Sequence, residues 1–410
     1  MSESGKMKKW LKRGLTILGV FLIIAAGAGI YNFSTIQRLY RTMTLFDAPG
    51  ITENFRNMGD RFSSRTIHKG ENVYQFKRKD SKLPEKYVYN GVEKSVPGFF
   101  ERYGTTGLIV IKDDTILFEK YYNGNTENSK AISWSVAKSF VSALFGIAVA
   151  EGKIKDINQT VNEYVPSLAA SGYNGVRIKD VLQMSSGIKF NEDYGDFYSD
   201  INRMGRSFAL NTPLEDFIIS LKQERVPGKF NHYVSMDTQV LGMIISAATG
   251  KNLSEYAEEK LWKPIGMESD ALWLIDSEGM EAAFGGLNVV LRDYARFGRL
   301  YLNNGKWGGR QIVPASWVKA SVTPDAPHLI PGKREGSNGV LGYGYQWWIP
   351  EKPEGDYLAI GIYGQAIYIN PAENIVIART SAYADYNKDG DGMEIESIEA
   401  FRAIAKKISK

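Results

Sequence analysis

In the stretch Ile132-Ser-Trp-Ser-Val-Ala-Lys-Ser-Phe140 a serine and a lysine, Ser135 and Lys138, stand three residues apart where a helix is expected to begin. Residues 140–150 are apolar on nearly every face, which predicts a helix buried inside a domain. Positions i and i+3 share a helical face, so the lysine amine can reach the serine hydroxyl. A hydroxyl becomes a competent nucleophile once its proton is taken, and an ammonium cannot take it. Burial disfavours the charged form and a helix N-terminus is electropositive, so both push this lysine below its free pKa of roughly 10.4. Ser-x-x-Lys tetrads also arise by chance, with a solvated lysine. Here no charged residue follows Lys138 until Glu151, surroundings in which a merely structural lysine would be a liability.

A second group of candidates lies in Pro227-Gly-Lys-Phe-Asn-His-Tyr-Val-Ser-Met-Asp-Thr-Gln-Val-Leu-Gly242, which sets Tyr233 and Ser235 in a short turn before a helix. A phenol beside an amine can ionise more readily than its free pKa of about 10 allows and then shuttle a proton. Ser235 could relay that proton or bind substrate. On spacing alone, a tyrosine that simply packs is the commoner case. His232 stands next to the pair; a loop histidine bound to solvent or backbone is the ordinary reading, and contact with substrate is the alternative.

These residues need elements to hold them. Residues 105–122 read as two β-rich runs around Asp113-Asp114, a hairpin that would open a sheet. Between about 151 and 280 the pattern is predominantly helical. Thr212-Pro-Leu-Glu215 reads as a capping box starting a helix through Glu224; Gly250 stops a helix over 239–249; another covers 253–262 before Pro264. Strand signals return over 342–349, 365–370 and 374–380, and 394–409 predicts a closing amphipathic helix. Strands at both ends with helices between them imply an α+β fold, one antiparallel sheet built from the two ends of the chain and flanked by helices, with a helical region inserted.

The 410 residues include no cysteine and three histidines, which excludes disulfides and thiolate metal sites and makes zinc chemistry a poor fit; no cofactor is expected. Residues 1–13 carry five positive charges against Glu3, and residues 14–31 carry none. That apolar run is about long enough to cross a bilayer, with the basic flank kept in the cytoplasm and the remainder outside. A cleaved signal peptide is the alternative, since Ala26-Gly-Ala28 resembles a cleavage site. The formal charge of +4 resides entirely in residues 1–13, leaving the rest balanced, so nucleic acid is not an expected partner. The expected organisation is a cytoplasmic tail and transmembrane signal-anchor over 1–33, a stalk or wrapping arm over 34–98, and a catalytic domain over 99–410 facing the periplasmic side. No protein partner is legible.

Taken together, Ser135-Val-Ala-Lys138, Tyr233-Val-Ser235 and the glycine-marked Gly361-Ile-Tyr-Gly-Gln365, in that order, resemble the serine β-lactamase and penicillin-binding protein superfamily. The resemblance is strongest to its class C-related branch, with esterases and the 6-aminohexanoate-dimer hydrolases. Val181-Leu-Gln-Met-Ser-Ser-Gly187, Phe284-Gly-Gly-Leu-Asn288, Arg292-Asp-Tyr-Ala-Arg-Phe-Gly298 and Gly342-Tyr-Gly-Tyr-Gln-Trp-Trp348 also look like that family. The resemblance implies a β-lactamase/transpeptidase-like fold, Ser135 as nucleophile, Lys138 as its base and Tyr233 as acid/base, with Ser235 where many relatives have asparagine. The backbone N–H groups of Ser135 and Gln365 would form the oxyanion hole. Tyr363 and Gly364, with Ile362, stand where β-lactamases have Lys-Thr-Gly, so no cation awaits a substrate carboxylate. An esterase or amidase acting on a small or linear substrate is the implied activity. The alternative is a non-catalytic penicillin-binding-like sensor or cell-envelope binding protein. Trp134, Tyr345, Trp347 and Trp348, with Tyr363, are candidates for the wall of an acyl cleft.

Overall fold

The computed structural model describes residues 3–337, 339–389 and 392–408. Met1 and Ser2 of the basic tail, and Ser409 and Lys410 at the end of the chain, lie outside the described residues. The main sheet contains β1 Lys77–Arg78, β2 Thr105–Lys112, β3 Thr115–Tyr121, β4 Gly342–Tyr343, β5 Trp348–Ile349, β6 Tyr357–Gly361, β7 Gln365–Asn370 and β8 Ile375–Ser381, in the order β4-β5-β6-β7-β8-β2-β3-β1. Every neighbouring pair is antiparallel except β1 with β3. The expected hairpin is β2–β3, closed by Asp113 and Asp114 at φ 49° and 59°, left-handed values that match the twist of the flanking strands. Pairing of Ile375 with Lys112 joins the late strands to the early ones, so the sheet is made from both ends of the chain.

The helices that matter for the site are α1 Glu3–Tyr31, α2 Phe33–Met43, α3 Val136–Ala150, α4 Asp200–Ala209, α5 Ser235–Thr249, α6 Leu291–Leu302 and α7 Gly392–Ile408. Helix α7 covers one sheet face, where Phe401 and Ile404 meet Leu108, Val110, Tyr368 and Ile377. Ile109, Ile111, Ile367, Val376 and Ala378 point to the opposite face, against α3 and α6. Both faces are covered, which is why these strands read as continuous apolar runs. Helix α5 ends at Gly250, whose φ of 69° forms a left-handed cap.

A second, four-stranded sheet runs Ser64–Ile67, Ala271–Leu274, Leu287–Val290, Lys130–Ile132. Its first strand belongs to the segment before residue 98. Leu45, Ile51, Phe55 and Met58 of the same segment are buried in the main core, and Arg38 on α2 donates to the Ala209 carbonyl at the end of α4.

Two expected elements differ. The single strand over 342–349 is instead a tight turn between β4 and β5, because Gln346 at φ 64° is pulled inward: its amide accepts from Thr238 Oγ1 at 2.6 Å and donates to the Leu182 carbonyl at 2.8 Å. The helix expected from Thr212 to Glu224 spans only Leu214–Ser220. Its first N–H is capped by the Asp276 carboxylate rather than by Thr212. Beyond Ser220 the backbone extends to bond residues 172 and 189, which ends the helix.

Candidate active site

The turn carrying Ser135 is built where the two sheets approach. Strand Lys130–Ile132 leads into Ser133, whose N–H donates to the Leu287 carbonyl at 2.7 Å, and β6 ends against the Ser133 carbonyl. A Cβ on Gly361 would stand 2.5 Å from that oxygen, so only glycine permits the approach. Trp134 then adopts φ 43°, a conformation costing a non-glycine residue about 1–3 kcal/mol. The rings of Phe46 and Phe55 hold it there, with centroids 5.6 and 5.2 Å away. Ser135 caps α3 through its backbone, and its side chain makes no cap bond, which leaves the hydroxyl facing Lys138.

Lys138 is sealed inside the protein, 2% exposed. Its Nζ lies 2.9 Å from Ser135 Oγ, 3.2 Å from Ser235 Oγ and 2.7 Å from the Phe284 carbonyl. Burial pushes the amine down to about 7, while the carboxylates of Glu192 and Asp237 pull it upward. A neutral amine has two N–H groups and one lone pair. The Phe284 carbonyl can only accept, and Ser235 gives its own proton to Glu192, so these two take the N–H groups. The lone pair is then left for the Ser135 hydroxyl, the arrangement a general base requires.

Ser235 opens α5; its N–H donates to Glu192 Oε2 at 2.9 Å and its hydroxyl to Oε1 at 2.5 Å. Tyr194 donates to the same Oε1 at 2.7 Å. Asp237, two residues further along α5, accepts from the Tyr173 hydroxyl at 2.8 Å, and burial pushes its carboxyl up to about 8. The Tyr233 ring lies beside the lysine, its centroid 5.2 Å from Lys138 Nζ, and stacks on Trp348 with centroids 5.4 Å apart. The expectation that a neighbouring amine would ease ionisation of Tyr233 fails. Burial, reinforced by the Glu192 carboxylate, pushes the phenol well above its ordinary value, so it stands as a proton donor.

Ser135, Lys138, Tyr233 and Ser235 therefore converge, while the remaining candidates act from further back. Tyr363 is buried with φ 60° and stacks on Phe46 at 4.9 Å, backing the wall that holds Trp134. Gln365 starts β7 with its side chain turned to Ser381, exchanging bonds of 2.6 and 3.0 Å with that residue's backbone. The Gly364 carbonyl accepts from Arg379, whose guanidinium packs over Phe99 and Phe401 on the far face of the sheet. His232 is 2.8 Å from the Phe190 carbonyl and ties two loops together. Trp347 and Tyr345 are core residues; Trp134 lines the cavity.

Sequence reasoning missed Glu192 and Asp237. Glu192 sits in an acidic, turn-rich stretch that looks like any solvated loop. Asp237 carried a signal, a carboxylate in an otherwise buried helix. A cavity of about 430 Å³ extends from Ser135 and Ser235 past Trp134 and Phe284 to Met43 and Phe197, whose exposure marks them as its outer lip.

Residues 90–400 match the family model for Beta-lactamase. The chain is 31% identical over 289 residues to the 6-aminohexanoate-dimer hydrolase of Paenarthrobacter ureafaciens, covering 68% of this chain and 73% of that protein. Among solved structures it is similar to a candidate 6-aminohexanoate-dimer hydrolase from Bacillus anthracis, with a TM-score of 0.80 at 24% identity over 89% of this chain and 96% of that one. The octameric penicillin-binding protein homologue from Pyrococcus abyssi is more distant in shape, with a TM-score of 0.56 at 20% identity over 77% and 76% of the two chains.

Proposed function

Starting from the chain's membership of the Beta-lactamase family of serine hydrolases, we propose that it cleaves an ester or amide through an acyl-enzyme on Ser135, outside the cytoplasmic membrane and tethered by α1. The observation that carries the reading is a buried Lys138 amine held near neutrality 2.9 Å from the Ser135 hydroxyl.

Lys138 takes the Ser135 proton as Oγ bonds to the substrate carbonyl carbon. The oxyanion is met by the N–H groups of Ser135 and Gln365, donors typically worth about 2.7–4 kcal/mol each. Tyr233, a neutral phenol, protonates the departing alcohol or amine; its phenolate then draws the proton from the water that attacks the acyl group, and Lys138 returns its proton to Ser135 Oγ as that bond breaks. Glu192 keeps the Ser235 hydroxyl turned so that its oxygen accepts from Lys138, which aims the lysine lone pair. The absence of a cation in Ile362-Tyr363-Gly364 disfavours substrates anchored by a carboxylate, as β-lactams are. The basic flank of α1 supports an outward-facing body, and the uncharged run over residues 14–31, inside the Met7–Tyr31 helix, is about long enough to cross a bilayer and supports a tether.

The test follows nitrophenol release from a p-nitrophenyl acyl ester while peptide mass maps any adduct. Steady release with a transient adduct on Ser135, abolished in Ser135→Ala, is the expected result. One equivalent of release with a lasting adduct would favour the sensor, and no adduct on Ser135 would end the hydrolase reading.

A further inference from the structure

The segment that follows the anchor forms part of the cavity. Only Asn32 separates α1 from α2, and at 1.5 Å per residue the 11-residue α2 carries the chain about 16 Å from the end of the apolar span to Met43 at the cavity's lip. Helix α2 turns its polar side to the body, where Arg38 bonds the end of α4 and Arg41 bonds the Asp60 and Arg61 carbonyls. Its other side exposes Phe33, Ile36, Tyr40 and Met43, spaced as a single helical stripe. Phe197, Tyr198 and Leu210, flanking α4, are exposed as well. A soluble surface seldom keeps so many large apolar groups together, and this patch is continuous with a helix suited to a bilayer.

Resting on the hydrolase and anchor reading above, we propose that the Ser135 site is loaded from the bilayer: its substrates are esters or amides of long-chain, membrane-resident acyl groups, which enter between α2 and α4. The α2 stripe lies in the membrane interface, so the acyl chain passes over Met43 and Phe197 into a pocket lined by Phe208, Met204, Phe284 and Trp134. Its carbonyl then meets Ser135. The reaction balances as ordinary hydrolysis, with the acyl group passing from the leaving alcohol or amine to Ser135 and then to water.

The test uses the full chain reconstituted in phosphatidylcholine vesicles, with p-nitrophenyl acetate, butyrate, hexanoate and octanoate in water and p-nitrophenyl palmitate in the bilayer. Burial of each added methylene should raise kcat/KM roughly 3–4-fold until the cavity is full. Replacing the outward stripe by Phe33→Ser, Ile36→Ser and Tyr40→Ser together should cut palmitate turnover at least about 10-fold and leave acetate turnover unchanged. Gly205 on α4 lines the cavity with nothing within 4 Å of where a Cβ would stand, so Gly205→Phe should move the preference to short chains. Rates that do not rise with chain length overturn the proposal, as does a stripe variant that affects both esters alike or neither. A change of oligomeric mass in that variant with undiminished palmitate turnover would put a second copy of the chain on the stripe, and also overturns it. Acetate turnover through a Ser135 adduct without any gain from chain length would sink this inference alone; no turnover and no adduct would sink the hydrolase reading and this one with it.

Discussion

At the scale of residues, the chemistry turns on how the Lys138 amine is tuned. Burial brings it to about 7, and Glu192 and Asp237 act against burial by favouring the ammonium. With the neutral amine as the proposed working form, kcat/KM should rise with pH along a limb centred near 7. Glu192→Gln removes a charge that raises the lysine's pKa, and the limb should therefore move to lower pH; a pH–rate profile shifted the other way would contradict the assignment. Lys138→Ala and Tyr233→Phe should each lower kcat/KM at least about 10²-fold in an ester assay. Ser135 and Lys138 were legible because one helical turn brings them together, so spacing alone carries the geometry. Glu192 was not, because it reaches Ser235 across 43 residues of chain and no local window contains both.

The elements divide along the same line. The β2–β3 hairpin could be read from Asp113-Asp114 because a turn declares itself in its own residues, and the end of α5 from Gly250 for the same reason. The turn inside 342–349 could not, since Gln346 is drawn in by Thr238 and Leu182, partners remote in sequence. The segment before residue 98 was the least legible: its elements are short, as in the helices Ile51–Arg56 and Met58–Arg61, and their buried residues are held by contacts remote in sequence, around Trp134 and beside the second sheet. Phe55 tests how firmly it belongs to the fold. Its ring is 3% exposed and sits edge-on to Trp134 and Tyr363 at 5.2 and 5.3 Å. Phe55→Ala should lower unfolding free energy by about 3–5 kcal/mol in a denaturant titration. Turnover should fall with it even where the protein stays folded, because Trp134 loses a support of its strained backbone.

For the whole molecule, the proposed orientation rests on charge and apolar length rather than on packing. All of the net positive charge precedes residue 14, and the body that follows is balanced, so the charge asymmetry on which the proposed orientation rests is confined to one flank of α1. A cysteine-free chain allows a direct test, since any introduced thiol is the sole reactive one. Glu127→Cys lies on an exposed turn of the body and Lys12→Cys on the basic flank of α1. In intact cells a membrane-impermeant maleimide should label the first and reach the second only after the membrane is opened. Labelling of Lys12→Cys from outside would invert the topology, and the stripe on α2 would then meet the opposite leaflet. If instead the Lys12→Cys position is missing from the mature protein by mass, α1 is a cleaved signal. Helix α2 begins after Ala28 and would survive that cleavage, so the lip of the cavity would remain intact on a body that reaches the bilayer through α2 alone.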